Sequence, residues 1–431
     1  MTFKDIPNKI TLGEVSNYST EKISIDVIDR NNYVSTENLL PNFGGKKIAS
    51  GIPTSNKVNS YLEGDILVSN IRPYFRKVWF ANQNGGASND VLVIRPNNNI
   101  DRSFLYYSLA NNDFIDFVMS GAKGTKMPRG DKNHIMTYQL QLPCIREQKA
   151  IANILSTLDE KIEVNNQINE TLENMAQELF KRWFVDFEFP NENGEPYKSS
   201  GGEMIESELG LIPIGWEVNE FNDLAENVSG YSYKGKELEE SKDALITIKN
   251  FNRNGGFKVE GFKDIKISER VKEKHYADLL DIIVAHTDLT QNADIIGNPI
   301  MIMNKSDNDN LIFSMDTVKI IPKLNESRYF VFQLLKHSDF KNFALAHTSG
   351  TTVLHLSKKA IPKYKFSSPP EDLIKKYNNT VEPFFRKNML IYKENEKLKS
   401  IRDTLLPKLM SGEIRVPLEG LEESLTEVKG G

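Results

Sequence analysis

Apolar residues recur along the first half of the chain with a spacing that predicts one long helix. From position 151 the steps alternate between four and three residues, which places every member on one side of a helix. This first stripe consists of Ile151, Leu155, Leu158, Ile162, Asn165, Asn169, Leu172, Ala176, Leu179 and Trp183. The spacing is the heptad of a coiled coil, so the helix is expected to pack against a second one.

A second stripe lies 226 residues further along the chain and predicts the packing partner: Tyr377, Val381, Phe384, Asn388, Ile391, Asn395, Leu398, Arg402, Leu405 and Leu409. The two helices are therefore predicted to pack as an antiparallel coiled coil. The asparagines of both stripes are expected to fix its alignment, because misaligned pairs leave buried amides unsatisfied. An alternative is that each stripe docks on its own domain. Pro383 and Pro407 are expected to kink or interrupt the second helix.

Shorter patterns repeat at the same displacement. Residues 88–96 align with residues 314–322, and the alignment continues without a gap. Downstream it pairs Arg102, Phe104, Asp113, Phe114, Phe117, Gly124, Thr125 and Pro143 with Arg328, Phe330, Asp339, Phe340, Phe343, Gly350, Thr351 and Pro369. Upstream, at a shifted displacement, residues 64–68 resemble 280–284 and residues 33–39 resemble 245–251. Chance similarity is the alternative, but so many pairs in one register favour two copies of one module.

Each copy combines strands with helices. Short runs such as 65–68 and 91–94, rich in β-branched residues and bounded by turn residues, predict strands. Helical stretches follow, and their aromatic residues recur at helical spacing, which assigns them to the core. The fold class is therefore α+β, with two similar domains separated by two long helices. The predicted segments are domain 1 at 1–145, helix 1 at 146–189, a linker at 190–212, domain 2 at 213–371, helix 2 at 372–415 and an acidic tail at 416–431.

Composition and charge narrow the class of protein. The chain has 431 residues, a net charge of -5 and a mean hydropathy of -0.44, and no apolar run reaches transmembrane length. A lone cysteine, Cys144, rules out an intramolecular disulfide, and the first residues do not resemble a secretory signal. A cytoplasmic protein without membrane contact is therefore expected. Residues 146–212 alone carry a charge of -8, so the net charge does not argue against nucleic acid.

The order of these segments resembles the specificity subunit of type I restriction-modification systems. The local motifs that carry the resemblance are residues 64–69 (GDILVS), Gly124-Thr125 with its counterpart at 349–352 (SGTT), the helix opening at 147–155 (EQKAIANIL) and the junction at 207–218 (SELGLIPIGWEV). Two departures stand out. Leu280 replaces Gly64 in the second copy, and the second helix begins at 371–374 with EDLI rather than with the Glu-Gln pair. These departures bear on local turn geometry.

The resemblance implies a DNA-binding protein without catalysis. In that family each target-recognition domain reads one half of a bipartite, asymmetric DNA target. The helix pair sets the spacer between the halves and docks two methyltransferase subunits, and motor/nuclease subunits join the full complex. The chain itself is expected to bind no cofactor, since S-adenosylmethionine and ATP belong to the partner subunits. A helix of about 40 residues spans roughly 60 Å, which exceeds one DNA turn of about 34 to 36 Å.

Loops with amides, cations and hydroxyls are the candidate DNA contacts, because these groups match base edges and phosphates. In the first copy they are Thr36, Asn38, Asn70, Arg72, Tyr74, Arg76, Lys77, Lys123, Lys126, Arg129 and Lys132. In the second copy they are Lys249, Asn250, His286, Thr287, Gln291, Thr351, Thr352, His355 and Lys358. The alternative is that these loop side chains are only solvated.

Several catalytic motifs are missing from the sequence. It has no Asn/Asp-Pro-Pro-aromatic motif for adenine methylation, no glycine-rich cofactor loop after a strand and no phosphate-binding loop of the Walker type. The six histidines lack zinc-ligand spacing, so no metal site is expected. Two other hypotheses stay open: a methyltransferase or nuclease with an unrecognised active site, and a coiled-coil adaptor without sequence preference.

Overall fold

The structure of the protein is a computed structural model, which describes residues 8–253, 255–290 and 292–417. The chain forms two compact units: unit 1 contains residues 1–162 and 398–431, and unit 2 contains residues 163–397. The boundaries between these units fall inside the two long helices. The six segments expected from the sequence therefore stay a prediction about domain limits, and residues 418–431 of the expected tail lie outside the described residues.

The described residues of unit 1 form three sheets and four short α-helices. Its strands are β1 Asn8–Thr11, β2 Ser16–Tyr18, β3 Lys22–Ser24, β4 Tyr33–Val34, β5 Lys57–Tyr61, β6 Ile66–Ser69, β7 Val78–Phe80, β8 Gly85–Ala87, β9 Val91–Pro96 and β10 Gln139–Leu142. Its helices are α1 Leu12–Val15, α2 Arg102–Leu109, α3 Asn112–Ser120 and α4 Lys132–Met136. The strand orders are β2-β9-β6-β7, β3-β5-β8-β4 and β1-β10.

The first long helix is α5, Ile145–Phe180, which continues as a π-helical turn over Lys181–Val185. Unit 2 then contains β11 Met204–Ser207, β12 Gly210–Pro213, β13 Glu217–Glu220, β14 Ala225–Ser229, β15 Asp243–Ile246, β16 Lys263–Asp264, β17 Tyr276–Ala277, β18 Ile282–Ala285, β19 Thr287–Asp288, β20 Pro299–Met301, β21 Asn310–Phe313, β22 Thr317–Pro322, β23 Thr348–Ser349, β24 Leu354–Leu356 and β25 Lys365–Ser368. Its short helices are α6 Phe221–Leu224, α7 Arg328–Lys336 and α8 Ser338–Ala346, and the second long helix is α9, Glu371–Ser411.

The two units share the topology of their main sheet and of the strand pair beside it. In unit 2 the sheet β14-β22-β18-β20 has the strand order of β2-β9-β6-β7, and β13-β25 corresponds to β1-β10. The register agrees as well, because Ile66 lies opposite Ile94 as Ile282 lies opposite Ile320. Each second sheet contains one parallel pair, β4 with β8 and β15 with β21. The α+β fold with two similar domains and two long helices, predicted from the sequence, is therefore confirmed.

The turn that leads into β6 and β18 is also the same, although Gly64 and Leu280 differ. Both residues have a left-handed backbone, with φ of 86° and 67°. The next residue, Asp65 or Asp281, accepts a hydrogen bond on its carboxylate from the amide three residues before it. Leucine is strained at this φ, whereas glycine is not. The departure from the repeat therefore changes the residue and leaves the turn intact.

The two long helices run antiparallel to each other within each unit. In unit 1, Arg402 of α9 donates to Asp159 of α5 at 2.7 Å. In unit 2, Asn165 donates to Asn395 at 2.8 Å, and the Tyr377 hydroxyl donates to the Ala176 carbonyl oxygen at 2.8 Å. The partner's residue number falls as the number on α5 rises, which is the antiparallel order.

Most stripe positions face the interior. The buried members are Ile151, Leu155, Ile162, Asn165, Asn169, Ala176, Trp183, Tyr377, Val381, Asn388, Ile391, Asn395 and Leu409, and the partly buried ones are Leu158, Leu172, Leu179, Phe384, Leu398, Arg402 and Leu405. On α9 the phase differs locally by one residue, since Phe385 and Leu406 are more buried than their neighbours Phe384 and Leu405.

Each helix also joins the core of the domain beside it. In unit 1, Ile151 and Leu155 belong to one cluster with Leu406, Leu409 and Phe104 of α2. In unit 2, Phe180 packs with Tyr377 and with Phe330 of α7. The two explanations of the stripes, mutual packing and docking on a domain, are thus both realised. Partial burial against a domain also explains the shift in phase.

The two prolines that lie between members of the second stripe do not interrupt the helix. The helix α9 is continuous from Glu371 to Ser411 and contains both Pro383 and Pro407, so the expected interruption was wrong. A proline removes one backbone donor. The buried neighbours Val381, Phe385, Leu406 and Leu409 pack on both sides of these positions and hold the backbone helical.

The segment expected to be a linker, residues 190–212, contains strands and packed aromatic rings. Its second half is the hairpin of β11 and β12, with Ile205 opposite Ile212. Before the hairpin, Phe189 stacks on Tyr197 and on Trp216, with ring centroids 4.6 and 5.4 Å away. Aromatic stacking therefore ties this glycine- and proline-containing segment to unit 2. Across the described ranges, no helix combines the length and apolar character needed to cross a membrane.

Candidate DNA interface

Two loops carry most of the candidate DNA contacts of unit 1, and they lie side by side. Loop A is residues 69–77, after β6, and loop B is residues 121–131, between α3 and α4. The Arg72 amide donates to the Pro128 carbonyl oxygen at 2.8 Å, and the Gly130 amide donates to the Asn70 carbonyl oxygen at 3.2 Å. Ile71 and Arg129 form an antiparallel bridge. Backbone hydrogen bonds therefore join residues that are more than 50 positions apart in sequence into one surface.

The backbone of loop A is bent sharply at two cations. Arg72 and Arg76 both have a left-handed backbone, with φ of 49° and 55°. Such conformations are uncommon for residues with a side chain and often mark functional loops. Between them Tyr74 and Phe75 are 45% and 41% exposed, with ring centroids 4.7 Å apart. Loop A thus presents two arginines beside two exposed aromatic rings.

Two polar groups at the base of loop A lack protein partners. The side chain of Asn70 is buried, and its Oδ1 has no hydrogen-bond partner among the described residues. The same holds for Nε of Arg72, whose residue as a whole is half-buried. Burying a donor or acceptor without a partner costs about 1–3 kcal/mol. The base of loop A therefore holds polar atoms that a ligand or water would satisfy.

Loop B supplies cations that are partly neutralised. Lys123 pairs with Asp131 at 2.6 Å, and Arg129 pairs with Asp90 at 3.0 Å. The hydrogen bond from Lys123, aided by the His134 and Asn133 amides, lowers the pKa of Asp131 to about 2. Lys126 is exposed at the tip of the loop. Lys132, the first residue of α4, is exposed as well.

Lys77 points back toward the domain rather than outward. Its Nζ donates to the Thr36 carbonyl oxygen at 2.5 Å and lies 5.9 Å from the centre of the Phe75 ring. Burial lowers the pKa of this ammonium group. Thr36 is half-buried beneath it. These two candidates therefore hold loop A in place from one side.

Unit 2 contains the corresponding pair of loops. Loop C is residues 286–298, between β18 and β20, and loop D is residues 347–358, which includes β23 and β24. Thr287 lies opposite His355 and Asp288 opposite Leu354 in an antiparallel ladder. The Leu356 amide donates to the His286 carbonyl oxygen, as the Gly130 amide does to Asn70. Loops C and D thus occupy in unit 2 the place of loops A and B.

One more backbone bond fixes the equivalence. The Asn70 amide donates to the Asp90 carbonyl oxygen at 2.9 Å, and the His286 amide donates to the Asp316 carbonyl oxygen at 2.9 Å. His286 therefore stands where unit 1 has Asn70. By the same ladder, His355 stands where unit 1 has Arg129. The two surfaces share a backbone framework and differ in their side chains.

The imidazoles of loops C and D differ in environment. Burial, together with the charge of Lys358 and the neighbouring His355, lowers the pKa of His286 to about 4. His355 is exposed, and its ring centroid lies 6.2 Å from that of His286. Burial also lowers the pKa of Lys358. Thr351 and Thr352 are exposed at the tip of loop D.

Three candidates from the sequence are corrected by the structure. Asn38 is 1% exposed, and its amide donates to the Tyr33 and Lys47 carbonyl oxygens while accepting from Ser35. Asn250 is 0% exposed and makes the same pattern of bonds with Lys258 and Thr247. Both are turn-forming asparagines, a common role for this residue. Thr287 is 4% exposed and its hydroxyl holds the His355 ring at 3.3 Å.

Lys249 is exposed beside the Asn250 turn, and no described hydrogen bond connects it to loops C and D. Gln291 lies outside the described residues. The described side chains also contain no group of three or more histidine, cysteine, aspartate or glutamate residues placed to hold a metal ion.

Sequence reasoning missed the residues that support the loops from within. Asp90 pairs with Arg129, Asp288 accepts hydrogen bonds within loop C, and Lys341 of α8 donates to the carbonyl oxygens of that loop. Asn42 and Phe43, both with left-handed backbones, donate to the Phe75 and Arg76 carbonyl oxygens. The repeat aligns Asp90 with Asp316, so the sequence did contain a signal that pointed to Asp90. Asn42, Phe43 and Lys341 lie outside the loops that they support, and no signal in the sequence pointed to their role or to that of Asp288.

Comparison with known proteins agrees with this arrangement. A family model described as "Type I restriction modification DNA specificity domain" matches residues 7–174. The chain is 29% identical over 325 residues to the type I restriction enzyme MjaIX specificity subunit of Methanocaldococcus jannaschii, covering 75% of this chain and 71% of that protein. It is 26% identical over 465 aligned positions to the HindI specificity subunit of Haemophilus influenzae, covering 94% of this chain and 98% of that protein.

A solved structure shares the fold. The type I restriction-modification S subunit from M. genitalium superposes with a TM-score of 0.56 and 19% sequence identity, over 95% of this chain and 98% of that one. The sequence matches cover most of the chain, and the fold has two similar domains with two long antiparallel helices. Residues 7–174 of this chain therefore match the type I restriction modification DNA specificity domain, and most of the chain is similar in sequence to type I specificity subunits.

Proposed function

We propose that this chain is the sequence-reading, non-catalytic subunit of a type I restriction-modification complex. Each domain would read one half of a bipartite, asymmetric DNA target. Loops A and B of unit 1 would contact one half, and loops C and D of unit 2 the other. The observation that carries the proposal is that two equivalent loop pairs, on the same backbone framework, present different side chains. Two different half-sites are what an asymmetric target requires.

The chemistry of each loop pair fits this role. Arg72 and Arg76 can donate to guanine edges in the major groove, and Lys126 or Lys132 can hold phosphates. In unit 2, the hydroxyls of Thr351 and Thr352 and the imidazole of His355 offer both donors and acceptors. The exposed tyrosine and phenylalanine of loop A add apolar contact area.

The long helices fit the role of a spacer. Helix α5 has 36 residues, which corresponds to roughly 54 Å at about 1.5 Å per residue. Helix α9 has 41 residues, or roughly 61 Å. Both lengths exceed one DNA turn of about 34 to 36 Å. The helix pair would therefore set the unread interval between the two halves.

Catalysis would come from partner chains. Two methyltransferase subunits would dock on the helix pair and supply adenine-N6 methylation with S-adenosylmethionine. Motor and nuclease subunits would supply ATP-dependent cleavage. The sequence lacks the methylation and nucleotide-binding motifs that these reactions use. Extrusion of the target base would likewise belong to the methyltransferase.

A domain exchange tests the proposal. The full-length chain is expressed with its methyltransferase subunits, and the methylated target is read by methylome sequencing. Residues 213–371 are then replaced by the corresponding domain of a relative with another target. One half of the methylated sequence should change while the other half and the spacer remain. A change in both halves, or methylation without sequence preference, would contradict modular reading and favour the adaptor hypothesis.

The enzyme hypothesis is tested on the purified chain alone. Turnover of S-adenosylmethionine or cleavage of DNA by this chain without partners would overturn the proposal. For binding, a competition between sequences is the decisive measurement, because any protein that contacts phosphates loses affinity as salt rises.

A further inference from the structure

Loop C is folded around a buried carboxylate. Asp288 is 1% exposed, and its Oδ1 accepts hydrogen bonds from the Thr290 amide and hydroxyl, each at 2.8 Å. Its Oδ2 accepts from the Ile295 amide at 2.8 Å. Burial alone would raise the pKa of Asp288, but these hydrogen bonds outweigh burial and lower it. The ionised carboxylate therefore joins the start of loop C to its far side.

A half-buried ammonium group also holds the same loop. Lys341 lies on α8, outside loop C, and its Nζ donates to the Ile296 carbonyl oxygen at 2.6 Å and to the Ala293 carbonyl oxygen at 3.0 Å. Asn298 Oδ1 accepts at 2.8 Å and the Asp294 carbonyl oxygen at 3.5 Å. An ammonium group has three protons, so this oxygen cage uses its full donor capacity. One side chain thus ties four residues of loop C to a helix.

Loop A is held differently. By the shared ladder, Asp288 stands where unit 1 has Arg72, which is half-buried and has an unpartnered Nε. Loop A is tied by backbone bonds from Asn42 and Phe43 instead. A carboxylate at position 288 would repel phosphates if it faced DNA, but its hydrogen bonds turn it inward. The acidic residue of loop C is therefore part of its framework, whereas the arginine of loop A is free for contact.

We infer that Lys341 and Asp288 are positioning residues that hold loop C in the conformation that reads the second half-site. Neither touches DNA in this role. Lys341 donates hydrogen bonds to carbonyl oxygens of the loop, and the Asp288 carboxylate accepts hydrogen bonds from its amides. These bonds keep His286 and the ladder to His355 in place. This inference rests on the proposed function of loops C and D in DNA recognition.

The test removes the ammonium group and then returns it as a small molecule. Lys341→Ala deletes the atoms of one propylammonium ion and leaves space for it beside the oxygen cage. The matched control is Lys336→Ala on the preceding helix, because Lys336, like Lys341, is partly buried, and it pairs with Glu173 at 3.1 Å. Each variant is assayed as the full chain in its methyltransferase complex. Duplexes with one altered base pair in either half of the target serve as competitors.

Discrimination at the half-site read by unit 2 should fall on the order of tenfold in Lys341→Ala, which is what one mismatched base pair contributes. Discrimination at the other half should stay unchanged. Propylammonium should restore it, whereas tetramethylammonium, which has no N–H donor, should not. Lys341→Arg should keep most of the discrimination. Hydrogen exchange of the amides of Thr290 and Ile295 should rise in Lys341→Ala and fall again with propylammonium.

The outcomes separate this inference from the proposed function. If the unmodified complex shows no preference between sequences, the proposed function fails. If it shows preference and Lys341→Ala keeps it at both halves, the positioning role is overturned. A loss at both halves that Lys336→Ala reproduces would mean general destabilisation and would also overturn it. Lys336→Ala should leave both halves unchanged and should not respond to propylammonium.

Discussion

The asparagines at the centre of the helix pair allow a quantitative test of how the two long helices are aligned. Asn165 is 1% exposed and donates to Asn395 Oδ1 at 2.8 Å and to Glu394 Oε2 at 2.9 Å. Asn395 is 6% exposed and donates to Asn166 Oδ1 at 2.9 Å. Replacing Asn165 with leucine removes the donor and leaves Asn395 Oδ1 buried without a partner.

The expected cost follows from these contacts. A buried acceptor left unsatisfied costs about 1–3 kcal/mol, and the extra apolar surface of leucine offsets part of this. Asn165→Leu and Asn395→Leu should therefore each destabilise the helix pair by about 1–3 kcal/mol. The double variant places two leucines in contact and removes both amides, so it should recover most of the loss, with a coupling energy of about 1–3 kcal/mol.

Native-state amide hydrogen exchange of residues 160–170 measures the stability change in each variant, because it reports the free energy of local opening in the helix. Asn174→Leu is the matched control, since Asn174 is an exposed asparagine on the same helix. It should change the opening free energy by less than about 0.5 kcal/mol. Single variants that behave like Asn174→Leu, or a double variant whose cost is the sum of the singles, would refute the reasoning. Methylome sequencing of the stable double variant should reveal targets with more than one spacer length, because the asparagines that fix the alignment of the two helices are gone.

Three further predictions concern the domains. Arg72→Ala and Arg76→Ala should each weaken binding by about 1–3 kcal/mol for one half-site only, measured by competition between sequences; a small, uniform loss would assign the residue to phosphate. Gly64→Ala should destabilise unit 1 by about 1–3 kcal/mol in chemical denaturation, because the φ is 86° and a Cβ would lie 2.7 Å from Arg102. His286→Asn should abolish a loss of stability as the pH falls from about 6.5 to about 4, because the imidazole of the unfolded chain binds a proton in this range, whereas the half-buried imidazole of the folded chain, with a pKa of about 4, does not. An unchanged pH profile of unfolding would contradict this last expectation.

The sequence was most informative where periodicity determines structure. Heptad spacing located both long helices and most of their buried positions, because a stripe of apolar residues has to be covered. It was less accurate at Phe384 and Leu405, where Phe385 and Leu406 are the more buried residues. Phe385 stacks on Tyr329 of α7, with ring centroids 4.5 Å apart. The helix face is therefore set by the domain as well as by the other helix, and a heptad rule alone does not include the domain.

The sequence was least informative about individual loop side chains. Asn38 and Asn250 carry the side-chain amide that can read adenine, but in both residues this amide closes a turn inside the fold. Asp288 and Lys341 support loop C from 53 positions apart, and nothing in the local sequence links them. A side chain's partners depend on which segments the fold brings together. Residue type and neighbouring sequence predict the loop and leave the direction of each side chain undetermined.

The comparison of the two domains explains how one framework can serve two different DNA sequences. Gly64 and Leu280 adopt the same left-handed turn, and Asn70 and His286 make the same backbone bonds. The loops are thus joined by hydrogen bonds between main-chain groups, so a change of side chain leaves these hydrogen bonds intact. Arg129 and His355 differ in charge and shape and still occupy the same place in the ladder. Because main-chain bonds define the surface, its side chains can vary, and a new half-site needs new residues on loops A to D without a new fold.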